Sequence, residues 1–518
     1  MEKEKDKPKT NSGSASSGRR DFLKIGGGLV AGLIIGAAAG WVGKPTEITP
    51  PVTETVTQTI TQTASATTVA PPPTWPPSVE PASLTVLSSP DCADALKYAA
   101  DVFTATYPKV SVDVVPLSWE ALYPKILQDL QSKTGAYDVF TIDVMTLGSV
   151  VAAGSANIDN IRAANPDIVD PNLDLSDFEK GYFQYGSIWA GADYGLPVYP
   201  NHMFLYYRKD YFGDPKVQAN YKSMTGKDLA PPATWQDCID VAKFFTKKNN
   251  PSSPTQYGIA LMFPTTHTMM YNVLNWLGPI RQSPTGVSKY GALDYYYGDF
   301  CTSDGKVWFA NDDGANAVEM IQALLPYSPD PFGSDYGETV TQFGAGTTAM
   351  APQWSVPYGS WATTLAGGDL EKAKSIIGVS MMPGISDSGQ IVQRPVSGGW
   401  SMGINGSSKS PRQAYLFAQF ATSKTMDKTH WLKFVMPPAR TSNWDEESRA
   451  ALNPDLFDTY KKSLSQLSYR PRITQEPDME RLGNPLWQDI IAGRKPLTDG
   501  LKTLADQWQA LVDQFKHP

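Results

Sequence analysis

The sequence predicts an α/β protein built as two lobes around a hinge, and three observations predict it. The chain has 518 residues, more than one hydrophobic core organises, so its folded part should divide. From Leu84 to Ile142, short apolar strands alternate with amphipathic helices, the pattern of a sheet covered on both faces. The stretch Tyr194 to Asp210, YGLPVYPNHMFLYYRKD, joins a Gly195-Leu196-Pro197 turn to the patch Tyr199, Pro200, Asn201 and then to an apolar strand, Met203 to Tyr207. Pro197 fixes its own φ and breaks regular structure. The patch is therefore expected at a bend between two packed bodies, a natural wall for a cleft.

Composition excludes several classes. Asp and Glu total 52 against 44 Lys and Arg, a net charge of -8, and no basic cluster follows the first 24 residues. Nucleic acid is not an expected partner, because phosphate neutralisation needs clustered cations. Cys92, Cys238 and Cys301 permit at most one disulfide and show no CxxC spacing. The four histidines form no HExxH, so no metal or other cofactor is expected. The glycines of Phe343 to Trp354 make neither GxGxxG nor a GK[ST] ending, which excludes a phosphate loop.

The front of the chain is a separate regime. Residues 1 to 18 are charged, small and polar. Arg19-Arg20-Asp21-Phe22-Leu23-Lys24 then leads directly into the apolar run Ile25 to Val42, a charged region ahead of a hydrophobic one, which resembles a twin-arginine export signal. Residues 1–44 are thus expected to be an export signal or a retained membrane anchor. Ala37-Ala38-Ala39 suits cleavage, while the length of the apolar run nearly spans a bilayer. Residues 45–81, rich in Thr and Pro, cannot bury enough surface to fold and read as a disordered stalk. The globular part would then work at the extracellular face of the cell membrane. Asn405-Gly406-Ser407 is a sequon in that part.

Further elements follow in order. Leu84 to Leu87 is a strand, and the loop Ser88 to Asp91 follows it. Leu96, Ala99, Ala100, Phe103 and Tyr107 fall on one helical face ended by Pro108. Val110, Val112 and Val114 alternate as a strand. Leu122, Ile126, Leu127 and Leu130 mark a second helix, and Tyr137 to Ile142 is the next strand. Ligands of such sheets lie beyond the carboxyl ends of the strands, where Asp91 and Asp143 fall. Thr234 is placed to cap a helix running to Phe245, and Asp312 or Asp313 another. Tyr257 to Leu261 and Ile376 to Met381 read as strands. Ser410 with Pro411 starts a helix. Leu501, Leu504, Ala505, Trp508, Leu511, Val512 and Phe515 form the apolar stripe of the last one.

Six segments in order, YPKVSVDVV, GAYDVFTIDV, YGLPVYPNHMFLYYRKD, PPATW, FGAGTTAMAPQW and SGGW, with the PPAR turn at Arg440, resemble the extracellular solute-binding proteins of ABC transporters, family 1, of the sugar-binding, maltose/trehalose-like kind. The resemblance implies a two-lobe periplasmic-binding-protein-like fold with three hinge crossings, near residues 197, 352 and 397. Lobe 1 would comprise 82–197 and 353–396, and lobe 2 would comprise 198–352 and 397–518. It implies no enzyme but a monomer that captures a sugar or oligosaccharide between its lobes and delivers it to ABC permease subunits in the membrane. The implied ligand contacts are Asp91, Asp143, Tyr199, Asn201, Trp354, Trp400 and Arg440. A carboxylate accepts two directed hydrogen bonds from vicinal hydroxyls, and an indole stacks on the C–H face of a sugar. Arg440 offers a fork of donors. Asn201 stands where the family usually has Asp, keeping an acceptor without the charge.

For several of these residues a plainer role stays open. Asp143 can equally cap the turn after its strand, Trp354 can plug a core, and Arg440 can close the lobes as an ion pair. Two other functions are also open. A secreted carbohydrate-active enzyme of glycosidase type would need two paired carboxylates, which Asp91, Asp143 and Asp193 could supply, although no spacing picks out a pair. A binding protein for a non-sugar solute is the other.

Overall fold

The structure is a computed structural model and describes residues 79–518. The export-signal reading of 1–44 and the stalk reading up to residue 78 lie outside the described residues. The packed domain begins slightly before the expected end of the stalk, since Val79 is already buried in the first core.

Strand β1 (Ala82–Ser88), helix α1 (Pro90–Thr106), β2 (Val110–Pro116), α2 (Trp119–Ser132) and β3 (Val139–Asp143) form the expected alternating unit. β1 pairs in parallel with β2 on one side and β3 on the other. Pro90 lacks an N–H where none is needed, and Asp91 adds negative charge at the positive end of the helix dipole. Leu96, Ala99, Ala100 and Phe103 turn inward from α1 onto this sheet.

The sheet continues through two long strands. β4 (Leu196–Arg208) is followed in the chain by β5 (Tyr257–Ile259), β6 (Thr348–Trp354), β7 (Ile377–Met381), β8 (Val396–Ile404) and β9 (Ser468–Tyr469). The order is β2-β1-β3-β8-β4-β6-β5, with β7 also on β4 and β9 also on β8. β8 runs antiparallel between β3 and the first half of β4, while the second half of β4 lies between β6 and β7. The bend expected at Pro197 is absent. β4 is continuous through Pro197 and Pro200, and the irregularity is a register shift against β8 between Trp400 and Ser401. Proline cannot donate to a ladder, so a bulge is where a sheet tolerates it.

The second half of β4 shows why its residues form a buried central strand. Met203 and Leu205 point into one core, with Trp235, Trp276, Trp487 and Trp508 and helix α3 (Thr268–Arg281). Phe204 and Tyr206 point into another, with Trp361, Trp431 and Tyr460. Strand alternation thus gives this lobe a core on each face.

These cores correct the expected lobe boundaries. Residues 351–381 pack with Phe204 and Tyr206 in the second lobe, so the chain does not cross near 352. β6 pairs only with β4 and β5, and the helix after it, Tyr358–Ala366, stays on the same core. Trp400, Met402, Ile404 and helix α4 (Pro411–Ala421) pack instead with β1 and α1 in the first lobe. The crossings are β4, β8 and the segment around helix α5 (Lys424–Phe434). Met426 of α5 joins the first core, and Trp431 and then Trp444 join the second lobe.

Smaller expectations divide as well. Thr234 caps its helix by accepting from the Asp237 amide, whereas Asn311, not Asp312 or Asp313, caps the helix after it. Asn405 is 1 % exposed, and its amide donates to Asp129 and to the Tyr137 carbonyl, so the sequon lies inside the fold. All three cysteines are buried and free. Among the described residues no helix is long and apolar enough to cross a membrane, and no group of three or more His, Cys, Asp and Glu is placed to hold a metal ion.

Candidate functional site

The site is built where β3, β8 and β4 lie side by side at the junction of the lobes. Register places Trp400 of β8 between Asp143, the last residue of β3, and Tyr199 of β4. The two glycines before Trp400 let large rings close on the backbone. A Cβ on Gly398 would stand 2.8 Å from the Trp354 indole and 3.2 Å from the Arg470 guanidinium. Gly399 has φ +126, and a Cβ there would meet the Tyr199 carbonyl at 2.5 Å and the Tyr182 ring at 2.7 Å. Only glycine suits both the conformation and the space. Asp91 enters from the first turn of α1, and the Trp400 side chain is near enough to lower its carboxyl.

Arg470 ties this floor together. β9 pairs with the start of β8, which sets the next residue, Arg470, beside Asp143. Its Nη2 donates to Asp143 Oδ1 at 2.7 Å, Nη1 lies 2.7 Å from Met145 Sδ, and the guanidinium sits 5.7 Å from the Trp354 ring centre. Asp143 also accepts from the Met145 amide at 3.1 Å, so it caps its turn and forms an ion pair at once. Burial raises the Asp143 carboxyl while Arg470 pulls it back. Burial lifts Asp91 to about 6, against the lowering effect of Trp400 and with a smaller push from Asp143.

Five of the residues singled out in the sequence therefore converge: Asp91, Asp143, Tyr199, Trp354 and Trp400. Trp354 and Trp400 retain 8 % and 6 % exposure. Asn201 lies at the same junction, opposite Gly398, but its carboxamide oxygen accepts from the Ser355 amide at 3.1 Å and hydroxyl at 2.6 Å. It fastens β4 to the chain after β6. The structure does not bring Arg440 to the others. Its guanidinium donates to the carbonyls of Thr422, Leu173 and Asp174 and lies 3.5 Å over the Phe178 ring centre, so it stitches first-lobe loops together.

Sequence reasoning missed other residues of the junction, Arg470 among them. Trp119 opens α2 beyond the end of β2, 5.7 Å from Trp400 and 4.9 Å from His267 across the lobe junction. Tyr271 packs 5.0 Å from Trp354, and Tyr336 feels Asp91 and Tyr271. Burial holds His267 neutral, down to about 4. Helix α6 (Glu476–Ile491) follows Arg470 and brings Glu476 and Glu480 within electrostatic reach of Arg470 and Asp143. The available signal was positional: Trp119 follows a strand's carboxyl end, and Arg470-Pro471-Arg472 puts two cations around a proline in the otherwise uncharged stretch Leu464 to Gln475. Chemically, aromatic plates flanked by carboxylates and a guanidinium accept a ring with C–H faces and a hydroxylated rim.

Two lobes sharing long strands, with aromatic and charged groups gathered at their junction, define a ligand-binding protein of the two-lobe periplasmic type. Residues 88–428 match the bacterial extracellular solute-binding protein family, and the chain belongs to that family. It is 22% identical over 379 residues to a probable ABC transporter-binding protein of Deinococcus radiodurans, covering 72% of this chain and 80% of that one. A probable amino-acid ABC transporter periplasmic-binding protein of Sinorhizobium fredii is 22% identical over 321 residues, 61% of this chain and 62% of that one. Among solved structures, the maltose-bound MalE3 of T. maritima superposes with TM-score 0.66 at 17% identity, covering 83% of this chain and 99% of that one. A ribitol complex of an ABC transporter solute-binding protein from Agrobacterium radiobacter gives TM-score 0.66 at 21% identity, with 84% and 100% covered. These structural likenesses establish the fold.

Proposed function

We propose that the protein is the extracellular substrate-binding component of an ABC importer and that it holds a sugar or oligosaccharide between its lobes for delivery to a membrane permease. The observation that carries this is the pair of indoles, Trp354 and Trp400, set around Gly398-Gly399 with the Asp143–Arg470 pair beside them. Support comes from the family and from neighbours solved with maltose and ribitol. The ligand contacts are Asp91, Asp143, Tyr199, Trp354 and Trp400. Asn201 and Arg440 support the fold. The protein acts by capture rather than turnover, as a monomer, exported through residues 1–44 and held at the cell surface.

In this mechanism the ligand touches groups of both lobes and so binds the closed arrangement better than the open one; that difference drives closure. Micromolar capture needs about -8 kcal/mol, within reach of two stacked rings and a few charge-assisted hydrogen bonds. Thermal-shift measurements across mono- and oligosaccharides and polyols test the proposal. At about a hundredfold excess over Kd a true ligand adds about 2.7 kcal/mol of stability, and no new reducing ends form. A panel without any shift, or turnover of a sugar, would overturn it.

A further inference from the structure

Near Asp143 and Arg470 lies a group of buried, unpartnered polar atoms that a neutral sugar leaves unexplained. Glu476, Glu480 and Asn484 follow one another at i, i+4 and i+8 on α6, which stacks them on one helix face. That helix packs against the turn that follows Asp143. Glu476 is 1 % and Asn484 3 % exposed. Oε1 of Glu476, Oε1 of Glu480 and Oδ1 of Asn484 are all buried without a hydrogen-bond partner, and so are the Tyr123 hydroxyl and Nε of Arg470. The Asn484 amide is already engaged, donating to the Thr266 carbonyl at 2.7 Å. Its vacant atom is the acceptor.

The balance of charge and of hydrogen-bonding groups decides what fits. Three carboxylates, Asp143, Glu476 and Glu480, share one guanidinium, and Arg470 gives its Nη2 to Asp143. Three acceptor atoms on α6 lack a partner, against two such donors, on Tyr123 and Arg470. A sugar hydroxyl donates one proton and brings no charge, so beside it the two neighbouring carboxyls stay buried only by keeping their protons. An ammonium brings three donors and the missing positive charge. Aromatic rings alongside favour a cation further. We infer that the ligand is a carbohydrate carrying a basic amine, and that the Glu476–Glu480–Asn484 face of α6 receives that amine. Without a cation these carboxyls keep their protons: burial raises both, repulsion from Glu480 adds to Glu476 and repulsion from Asp143 to Glu480, the latter reaching about 8, while Arg470 lowers them, so an arriving ammonium would displace a proton.

The inference rests on the carbohydrate reading above, and its test separates the two. Binding to the full chain is measured calorimetrically at about pH 7 with oligomers of equal length made of glucosamine, N-acetylglucosamine and glucose. The amine-bearing oligomer should bind at least about tenfold more tightly than its N-acetylated counterpart. In Glu476→Gln/Glu480→Gln that preference should fall to about twofold or less. The wild-type comparison decides even if the double variant folds poorly. Neutral oligomers binding as tightly as the amine would sink the amine inference and leave the carbohydrate reading standing; no binding by any oligomer would remove both.

Discussion

Replacing Arg470 by Met is the sharpest probe of the site, because its consequence can be worked from the geometry. The guanidinium and the Asp143 carboxylate meet at 2.7 Å with side-chain exposures of 3% and 12%. At that separation and an effective dielectric of about 20 their attraction is about 6 kcal/mol. Taking each ion out of water costs several kcal/mol, so the intact pair contributes little net stability. Removing one partner is different. Met keeps much of the aliphatic volume, yet it leaves Asp143 without its cation and close to Glu476 and Glu480, at a cost of about 3–5 kcal/mol. Asp143→Asn together with Arg470→Met removes the stranded charge and should return stability to within about 1–2 kcal/mol of wild type. Urea unfolding followed by tryptophan fluorescence reads wild type, both single variants and the double variant. A loss under about 1 kcal/mol for Arg470→Met would show that the pair is solvated and does not organise the floor. A double variant as unstable as the sum of the singles would show that the two do not act as a pair.

Trp119→Ala removes a ring that contacts both Trp400 and His267; an aromatic pair contributes about 0.5–1.5 kcal/mol, so ligand affinity should drop about two- to tenfold and the ligand-bound radius of gyration in solution scattering should rise, while unchanged values of both would remove Trp119 from the closed state. For Asp91, burial places the folded-state carboxyl at about 6 against an ordinary 3.8, so the native state holds the proton more tightly and stability falls as pH rises from about 4 through 6; Asp91→Asn should flatten that part of the melting-temperature profile of the unliganded protein, and identical profiles would contradict the assignment. Arg440→Met should cost about 2–4 kcal/mol by orphaning buried carbonyls yet leave Kd within about twofold, and a tenfold loss of affinity in a folded variant would return Arg440 to the ligand.

What could be read from the sequence, and what could not, follows from the range of the interactions concerned. The β1-α1-β2-α2-β3 unit was legible because apolar spacing is a local signal, and Trp354, Trp400 and Asp143 were legible because each sits in a short recognisable segment. Pro197 misled because a proline marks a local break, whereas here the partner strand β8 absorbs it through a register shift beside Trp400. Trp354 misled about the lobes for a similar reason: a buried strand end next to a cleft looks alike whether or not the chain then crosses. Arg470 was missed in favour of Arg440 because its partner Asp143 lies 327 positions away in the chain, beyond any local pattern. Glu476 and Glu480 carry no local signal, since charge on a helix usually faces solvent.

The same geometry says where the lobes flex and how a ligand acts on that point. Two of the three crossings are strands, β4 and β8, which run side by side through the junction. Gly399 pairs there with Pro200, a residue with no N–H to give the ladder, one step before the register shift. A glycine at positive φ opposite a proline is the least constrained stretch of that ladder, so bending concentrates at it. Trp354 lies on Gly398 and Tyr182 on Gly399, which means the rings that line the floor also rest on the flexing backbone. If, as proposed, a guest stacks on Trp354, it would stabilise one setting of the hinge directly. The Asp143–Arg470 pair, one strand across, holds the neighbouring edge while it moves.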